Sequence, residues 1–151
     1  MKNKILLVDD FPSKAESILN YLNEEFPTLE IVQKESYKSG LYEICTNAGN
    51  YDLILLDMSM PTFDFSAEEN GGEPEPVAGK LILENMSLRD INIKVLVVTM
   101  YENFDGMRLA QLNKELKTNF SDIYIGNIFF SFKQNDWKRS LSDYITEIYG
   151  K

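Results

Sequence analysis

The stretches KILLVDD at residues 4–10 and DLILLD at residues 52–57 decide the fold class of this chain. In each, four apolar residues follow one another without a polar interruption, and the run ends in one or two aspartates. A short, continuously apolar run bounded by polar residues is typical of a strand that is buried on both faces, the kind found in parallel sheets. The two runs therefore predict inner strands of an open α/β sheet.

Three acidic residues, Asp9, Asp10 and Asp57, directly follow the two apolar runs. Ligands of open α/β sheets bind beyond the carboxyl ends of the strands, and we expect the three carboxylates to lie there. Carboxylates at one edge repel one another unless a cation neutralises them, and hard oxygen ligands suit Mg²⁺. An alternative for Asp9 and Asp10 is capping of the next helix, because aspartate favours the positions before a helix. We interpret the set as a divalent-metal site that leaves one acid available for chemistry.

Strand-like and helix-like segments alternate along the rest of the chain. Further strands are predicted at residues 29–33, at 93–99 and within 123–132, and helices at about 12–26, 37–48, 78–86, 107–116 and 137–148. An acidic loop insertion without lysine or arginine is predicted at about residues 62–79. Five strands and about five helices in this order predict a single α/β domain over residues 1–151, a (βα)5 doubly wound five-stranded parallel sheet.

Composition and charge restrict the classes of partner. The net charge is −9, and because binding to nucleic-acid or anionic membrane surfaces draws on clustered lysine and arginine, neither is expected as a direct partner. The chain has no histidine, which excludes histidine-based acid–base catalysis and histidine metal ligands. The single Cys45 fits a reducing compartment and is expected to be a buried helix residue. With no signal-peptide core near the first residues, the sequence favours a cytoplasmic protein.

Features at the ends of four predicted strands resemble the receiver domain of two-component response regulators. They are Asp9-Asp10 after the first strand, Asp57 after the third with Met60-Pro61 close behind, Thr99 at the end of the fourth, and Lys133 after the fifth. The resemblance covers nearly the whole chain. It implies a flavodoxin-like fold and a protein of phosphorelay signalling rather than an enzyme.

The resemblance also implies a role for each site residue. Asp57 would accept a phosphoryl group from a phosphohistidine on a sensor histidine kinase or a histidine phosphotransfer protein. The implied ligands of Mg²⁺ are Asp10, Asp57 and the backbone carbonyl of Ser59, with Asp9 acting mostly through water. Lys133 would pair with one phosphoryl oxygen, and the hydroxyl of Thr99 would hydrogen-bond another.

The implied output is a changed protein-binding surface. In the family, the threonine moves together with an aromatic residue on the fifth strand, and Phe130 is the residue expected to take that part. The movement remodels the surface of the fourth helix, fifth strand and fifth helix, to which a downstream protein target binds and through which receivers often form homodimers. The last predicted helix ends at Gly150-Lys151, so the sequence predicts a stand-alone receiver.

Two other functions were weighed against this one. A degenerate receiver that works as a phosphorylation-independent interaction module is favoured by the long loop insertion and by the irregular region of the fifth strand, where Gln134 replaces the usual proline after Lys133. The intact acids oppose it. A phosphatase or phosphotransferase of the haloacid-dehalogenase type needs an Asp-x-Asp pattern after the first strand, which Asp9-Asp10-Phe11-Pro12 does not provide. Whether a receiver would relay its phosphoryl group or deliver an output is left open by the sequence.

Overall fold

One parallel sheet organises the computed structural model, which describes residues 2–58, 60–61, 74–75, 78–104 and 107–150. Its strands are β1 (Lys4–Val8), β2 (Glu30–Lys34), β3 (Leu53–Leu56), β4 (Lys94–Thr99) and β5 (Tyr124–Phe129). They lie in the order β2-β1-β3-β4-β5. The chain reverses its direction of travel across the sheet between β1 and β3, so the carboxyl ends of these two strands flank the switch point where α/β sheets bind ligands.

Helices follow the strands and connect them. They are α1 (Pro12–Glu25), α2 (Tyr37–Asn47), α3 (Ala78–Leu88), α4 (Leu109–Asn119) and α5 (Asp136–Tyr149), with a short 3-10 helix at Ala48–Asn50. The predicted (βα)5 doubly wound fold is confirmed. Two small antiparallel ladders were not predicted, because strands of two residues have no readable period: Met60–Pro61 pairs with Pro74–Glu75, and Asn103–Phe104 pairs with Met107–Arg108.

Both faces of the sheet are buried, which explains why the central positions of its inner strands are all apolar. In β1, Leu6 and Val8 belong to the cluster that packs under α2, α3 and α4, whereas Ile5 and Leu7 belong to the cluster under α1 and α5. Among the described residues, no helix is long and apolar enough to cross a membrane.

The expectation that Cys45 of helix α2 is buried was wrong. Cys45 is exposed, whereas the neighbouring Ile44 is fully buried. Successive residues of a helix point about 100° apart, so the residue after a core position on an amphipathic helix commonly turns to solvent. The sequence correctly predicted the helix and wrongly predicted the face on which Cys45 lies.

Candidate functional site

The carboxylate of Asp57 lies at the carboxyl edge of the sheet, one residue past β3. The parallel register pairs Val8 of β1 with Leu56 of β3, and the N–H of Asp57 donates to the carbonyl of Val8 at 2.9 Å. The side chain is only 3% exposed. Its Oδ1 accepts a hydrogen bond from the N–H of Met58 at 2.9 Å, which fixes the orientation of the carboxylate.

Asp9 and Asp10 lie beside Asp57, as the sequence predicted. Asp9 is fully buried and its Oδ1 accepts from the N–H of Phe11 at 3.0 Å, while Asp10 is half-buried. One carboxylate oxygen from each of the three acids lies within 4.8 Å of the others. The bond to Phe11 stabilises the turn that leads into α1, but the N-cap of this helix is Phe11 and no side chain caps it, so the capping alternative for Asp9 and Asp10 is wrong.

A buried lysine that the sequence analysis did not single out lies among these acids. The ammonium of Lys14, on the first turn of α1, is 2.8 Å from Asp9 Oδ2 and 3.4 Å from Asp57 Oδ1. It donates a hydrogen bond of 2.6 Å to the carbonyl of Val98 on β4. Lys14 is 1% exposed, so this cation is as buried as the acids that it pairs with.

The sequence did carry a signal for Lys14. It precedes Ile18 by four residues and Leu22 by eight, and these spacings place it on the buried face of an amphipathic helix. A charged residue on such a face requires an opposite charge nearby, because burying an unpaired charge is very costly. A lysine on the apolar stripe of α1, four residues after Asp10, was therefore a readable indication of a buried ion pair.

Among the described residues, Asp9 Oδ2 has an ion-pair partner, Lys14, but no hydrogen-bond donor. Although it lies 2.8 Å from the ammonium of Lys14, it accepts no hydrogen bond of acceptable geometry from any described residue. A buried carboxylate oxygen in this condition retains lone pairs for a further donor or a cation. Together with the two other acids it offers the hard oxygen donors that Mg²⁺ prefers, so the residues present fit the metal that the sequence predicted.

Burial and crowding shift the pKa values of the acids. Burial raises the pKa of Asp57 to about 7; Lys14 opposes this rise, and the charges of Asp9 and Asp10 add to it. The pKa of Asp10 is also raised, first by burial and then by the charge of Asp9. A cation that entered the cluster would favour the charged forms of both residues.

Thr99 lies at the same edge of the sheet as the last residue of β4. It is fully buried, and its Oγ1 accepts a hydrogen bond from the N–H of Tyr101 at 3.1 Å. The preceding residue, Val98, supplies the carbonyl that binds Lys14. The predicted threonine therefore directly follows the residue that accepts a hydrogen bond from Lys14, the partner of Asp9 and Asp57.

Lys133 does not join the acids. It lies in the segment between β5 and α5, is exposed, and forms no ion pair within the described part of the chain. Its backbone N–H donates to Ser131 Oγ at 3.1 Å. The structure thus leaves the predicted phosphate-contacting lysine outside the cluster in which it was expected.

Phe130 is not on the fifth strand, where the prediction placed it, but is the first residue after β5. It is 1% exposed, and its ring centroid lies 4.7 Å from that of Trp137 on α5 and 4.9 Å from that of Phe132. Its N–H donates to the carbonyl of Thr99 at 2.8 Å. Phe130 therefore takes the place directly after the strand, near which the resemblance expects a lysine.

Two further sequence expectations fall outside the part of the chain that the structure describes. Ser59, whose carbonyl is an expected metal ligand, lies there, and so does most of the acidic insertion predicted at about residues 62–79. Ala78 and Gly79, at the end of that range, are the first residues of α3.

Gly79 packs directly against the backbone that carries Asp57. A Cβ at this position would lie 2.8 Å from the carbonyl oxygen of Asp57 and 3.1 Å from the Cα of Met58. We expect Gly79→Ala to displace this backbone, to lower the free energy of unfolding by about 1–3 kcal/mol and to disturb the orientation of the Asp57 carboxylate. Urea denaturation measures the first effect. Gly49→Ala is the control, because a Cβ at Gly49 meets nothing within 4 Å; equal effects of the two substitutions would contradict the expectation.

Comparisons with known proteins agree with this fold. No protein-family model matches the chain. The chain is 31% identical over 147 residues to the uncharacterized protein y4jR of Sinorhizobium fredii, covering 93% of this chain and 95% of that protein. It is 29% identical over 150 residues to the Detocs response regulatory protein DtcB of Enterobacter cloacae, covering 96% and 99%.

A solved structure supports the same assignment at the level of the fold. The receiver domain of the Francisella response regulator 1452 superposes with a TM-score of 0.65 at 22% identity, covering 97% of this chain and 96% of that domain. The parallel sheet order, the acids at the carboxyl ends of β1 and β3, and relatives that match over almost their full length all agree. The chain belongs to the response-regulator receiver family.

Proposed function

We propose that the chain accepts a phosphoryl group on the carboxylate of Asp57 from a phosphohistidine of a sensor histidine kinase or histidine phosphotransfer protein. The observation that carries the proposal is the acid cluster: Asp57, 3% exposed, shares one sheet edge with Asp9 and Asp10, and the three offer oxygens within 4.8 Å of one another. Such a concentration of negative charge is unfavourable on its own and becomes favourable when a divalent cation neutralises it.

Mg²⁺ would be held by Asp10 and Asp57 and by the backbone carbonyl of Ser59, with Asp9 as its outer support. When bound, the ion supplies positive charge opposite the oxygens of the transferred phosphoryl group. The hydrogen bond from the Met58 N–H to Asp57 Oδ1 holds the nucleophile in one orientation. Because Asp9 Oδ1 is already bound to the N–H of Phe11, Oδ2 is the oxygen of Asp9 that remains for a further partner.

The transfer itself requires little covalent chemistry from the protein. A carboxylate oxygen of Asp57 attacks phosphorus, a new O–P bond forms, and the P–N bond of the phosphohistidine breaks with its electron pair going to the imidazole nitrogen. Asp57 exchanges one negative charge for the two of the phosphoryl group. Positioning of the carboxylate and neutralisation of this added charge are therefore the two tasks of the site.

The switch would act through Thr99. Its hydroxyl now accepts a hydrogen bond from the N–H of Tyr101, and a phosphoryl group on Asp57 offers the same hydroxyl an oxygen to which it can donate. If the hydroxyl bonded to the phosphoryl group in place of the Tyr101 N–H, the segment that follows β4 would move. We interpret this as a shift between two populated arrangements of a protein-binding surface, biased by the phosphoryl group, to which a downstream protein or a second copy binds.

The experiment that tests the proposal is incubation of the chain with acetyl phosphate, a small phosphoryl donor, and Mg²⁺, followed by intact-mass measurement. The expected result is the mass gain of one phosphoryl group, lost when EDTA replaces Mg²⁺. If the adduct fails to appear with acetyl phosphate and also with the cognate kinase, the chain is not a phosphoacceptor.

A second candidate function is favoured by Lys14. Its ammonium already neutralises part of the charge of Asp9 and Asp57, so the cluster is partly satisfied without any ligand. This arrangement also suits a receiver that binds its partner independently of phosphorylation. Equal affinity for that partner with and without the phosphoryl group would favour this function.

Binding of Mg²⁺ is expected to stabilise the chain against unfolding. A ligand that binds only the folded state adds about 2.7 kcal/mol when its concentration is one hundred times the dissociation constant. Removal of one ligand by Asp10→Ala should abolish most of this gain, as measured by the thermal shift between Mg²⁺ and EDTA. Asp143→Ala on α5 is the matched control, since it removes one exposed acid and should keep the shift. No shift in the unsubstituted chain at millimolar Mg²⁺ would contradict the metal site.

A further inference from the structure

We propose that Lys14, on helix α1, is the cation that pairs with the phosphoryl group on Asp57. The resemblance gave that part to a lysine after the fifth strand. The inference rests on the proposed function and adds a residue that the sequence pattern of the family does not contain. Two independent observations carry it: the position directly after β5 is Phe130, with Lys133 exposed and outside the acid cluster, and a buried ammonium already contacts the proposed phosphoacceptor.

The place after β5 is filled by an aromatic core residue. Phe130 is packed between Phe132 and Trp137 and is held to β4 through its hydrogen bond to the carbonyl of Thr99. Lys133 lies three residues further on and is exposed. Among the described residues, the only ion pairs to Asp9 and Asp57 come from Lys14.

Lys14 is held where the added charge would appear. Its ammonium has three N–H groups and three close oxygens: Val98 O at 2.6 Å, Asp9 Oδ2 at 2.8 Å and Asp57 Oδ1 at 3.4 Å. The first two contacts fix the ammonium at the sheet edge. The third is the longest, and it is made to the carboxylate that becomes esterified.

Phosphoryl transfer changes the third contact. Once an O–P bond has formed, Asp57 has lost its carboxylate charge and the charge resides on the phosphoryl oxygens. The ammonium of Lys14 lies 3.4 Å from the carboxylate, so a small change in the conformation of its side chain would bring it into contact with these oxygens. Charge-assisted hydrogen bonds of this kind are stronger than hydrogen bonds between neutral groups. A cation that is already oriented also needs little reorganisation when the new charge appears.

The placement of Lys14 also leaves Asp10 free. The ammonium pairs with Asp9 and Asp57, and within the described residues Asp10 has no ion pair. Lys14 can therefore pair with Asp9 and Asp57 while Asp10 stays available as a residue that would hold Mg²⁺. Both cations would be needed, since the site gains negative charge in the reaction.

The test compares two neutral substitutions of lysine, Lys14→Gln and Lys133→Gln. Glutamine removes the charge at position 14 and keeps an N–H donor, on a side chain that is one bond shorter than that of lysine. With acetyl phosphate and Mg²⁺, we expect Lys14→Gln to slow adduct formation by about ten- to hundredfold and Lys133→Gln to leave the rate unchanged. The thermal shift by Mg²⁺ should survive in both, which separates loss of phosphoryl contact from loss of the metal site.

Each outcome decides the question. Adduct formation at the unsubstituted rate in Lys14→Gln, or a comparable slowing in Lys133→Gln, would overturn the inference. If the unsubstituted chain forms no adduct, the proposed function has failed instead. If Lys14→Gln does not fold, the unsubstituted chain is tested with beryllofluoride, which mimics the phosphoryl group. Beryllofluoride should shift the ¹⁵N resonance of the Lys14 ammonium. An unmoved resonance in a protein that has bound beryllofluoride would overturn the inference.

Discussion

Asp57→Asn is expected to abolish the phosphoryl adduct completely, with acetyl phosphate and with a phosphorylated kinase alike. The amide oxygen of asparagine is a poor nucleophile and carries no charge, so it neither attacks phosphorus nor attracts Mg²⁺ as the carboxylate does. The substitution is nearly isosteric, and the N–H of Met58 retains an oxygen to which it can donate. Intact-mass measurement after incubation with the donor checks the expectation.

The same substitution should not unfold the protein. Asp57 is 3% exposed and lies among other acids, and its pKa is raised by burial, so a neutral side chain relieves repulsion in the folded state. We expect Asp57→Asn to be at least as stable to urea as the unsubstituted chain in EDTA. A phosphoryl adduct that persists in a folded Asp57→Asn chain would mean that a different residue is the acceptor.

Lys14→Met is expected to lower the free energy of unfolding by about 3–5 kcal/mol at neutral pH without Mg²⁺, the usual cost of removing one partner of a buried ion pair. The ammonium lies 2.8 Å from Asp9 and 3.4 Å from Asp57, and both acids are almost inaccessible to water. Without it, both carboxylates must be held in the folded state with no described cation beside them. Urea denaturation with and without Mg²⁺ measures the effect.

The pH dependence of this destabilisation follows from the pKa of Asp57. Lys14 lowers that pKa, so its removal raises the folded-state pKa further above the unfolded value of about 3.9. A raised folded-state pKa carries no penalty below the unfolded pKa, and the penalty grows as the pH rises toward the folded-state pKa. Because Asp57 of the unsubstituted chain is itself largely protonated below about pH 7, both chains carry the same penalty for this residue at lower pH, and the part of the destabilisation by Lys14→Met that comes from Asp57 should grow as the pH rises above about 7.

Lys133→Met is the matched control for this prediction. It removes the same charge from an exposed position, where substitutions usually change stability by no more than about 0.5 kcal/mol. Equal effects of the two substitutions, or a Lys14→Met chain as stable as the original at neutral pH, would show that the buried pair does not contribute as described.

The sheet and its acids were predictable because their signals are local. A run of apolar residues that ends in aspartate fixes both the strand and the edge at which the carboxylate lies, and Asp9, Asp10 and Asp57 follow from that alone. The position after β5 was not predictable in this way. Phe129, Phe130 and Phe132 lie close together in sequence without a clear period, and it is a tertiary contact, the packing of Phe130 against Trp137 of α5, that distinguishes Phe130 from its neighbours.

Lys14 shows a different limit of the sequence signal. The motif of the family directs attention to the ends of strands, whereas the lysine that contacts the acids lies on a helix and extends back over the sheet edge to Val98. Its helical spacing with Ile18 and Leu22 was readable, but its partners depend on how α1 packs on the sheet. Tertiary contacts of this kind are what the structure adds to the candidate site.

The location of the phosphoryl group on the chain tests the central claim most directly. After incubation with acetyl phosphate and Mg²⁺, borohydride reduces an aspartyl phosphate in two steps: a first hydride adds to the acyl carbon and phosphate leaves, and a second hydride with a proton from water reduces the resulting aldehyde, which converts that aspartate to homoserine. Peptide mass spectrometry should find homoserine at position 57 and nowhere else. Homoserine at position 9 or 10, or none in a protein that has gained the mass of a phosphoryl group, would contradict the assignment of Asp57 as the acceptor.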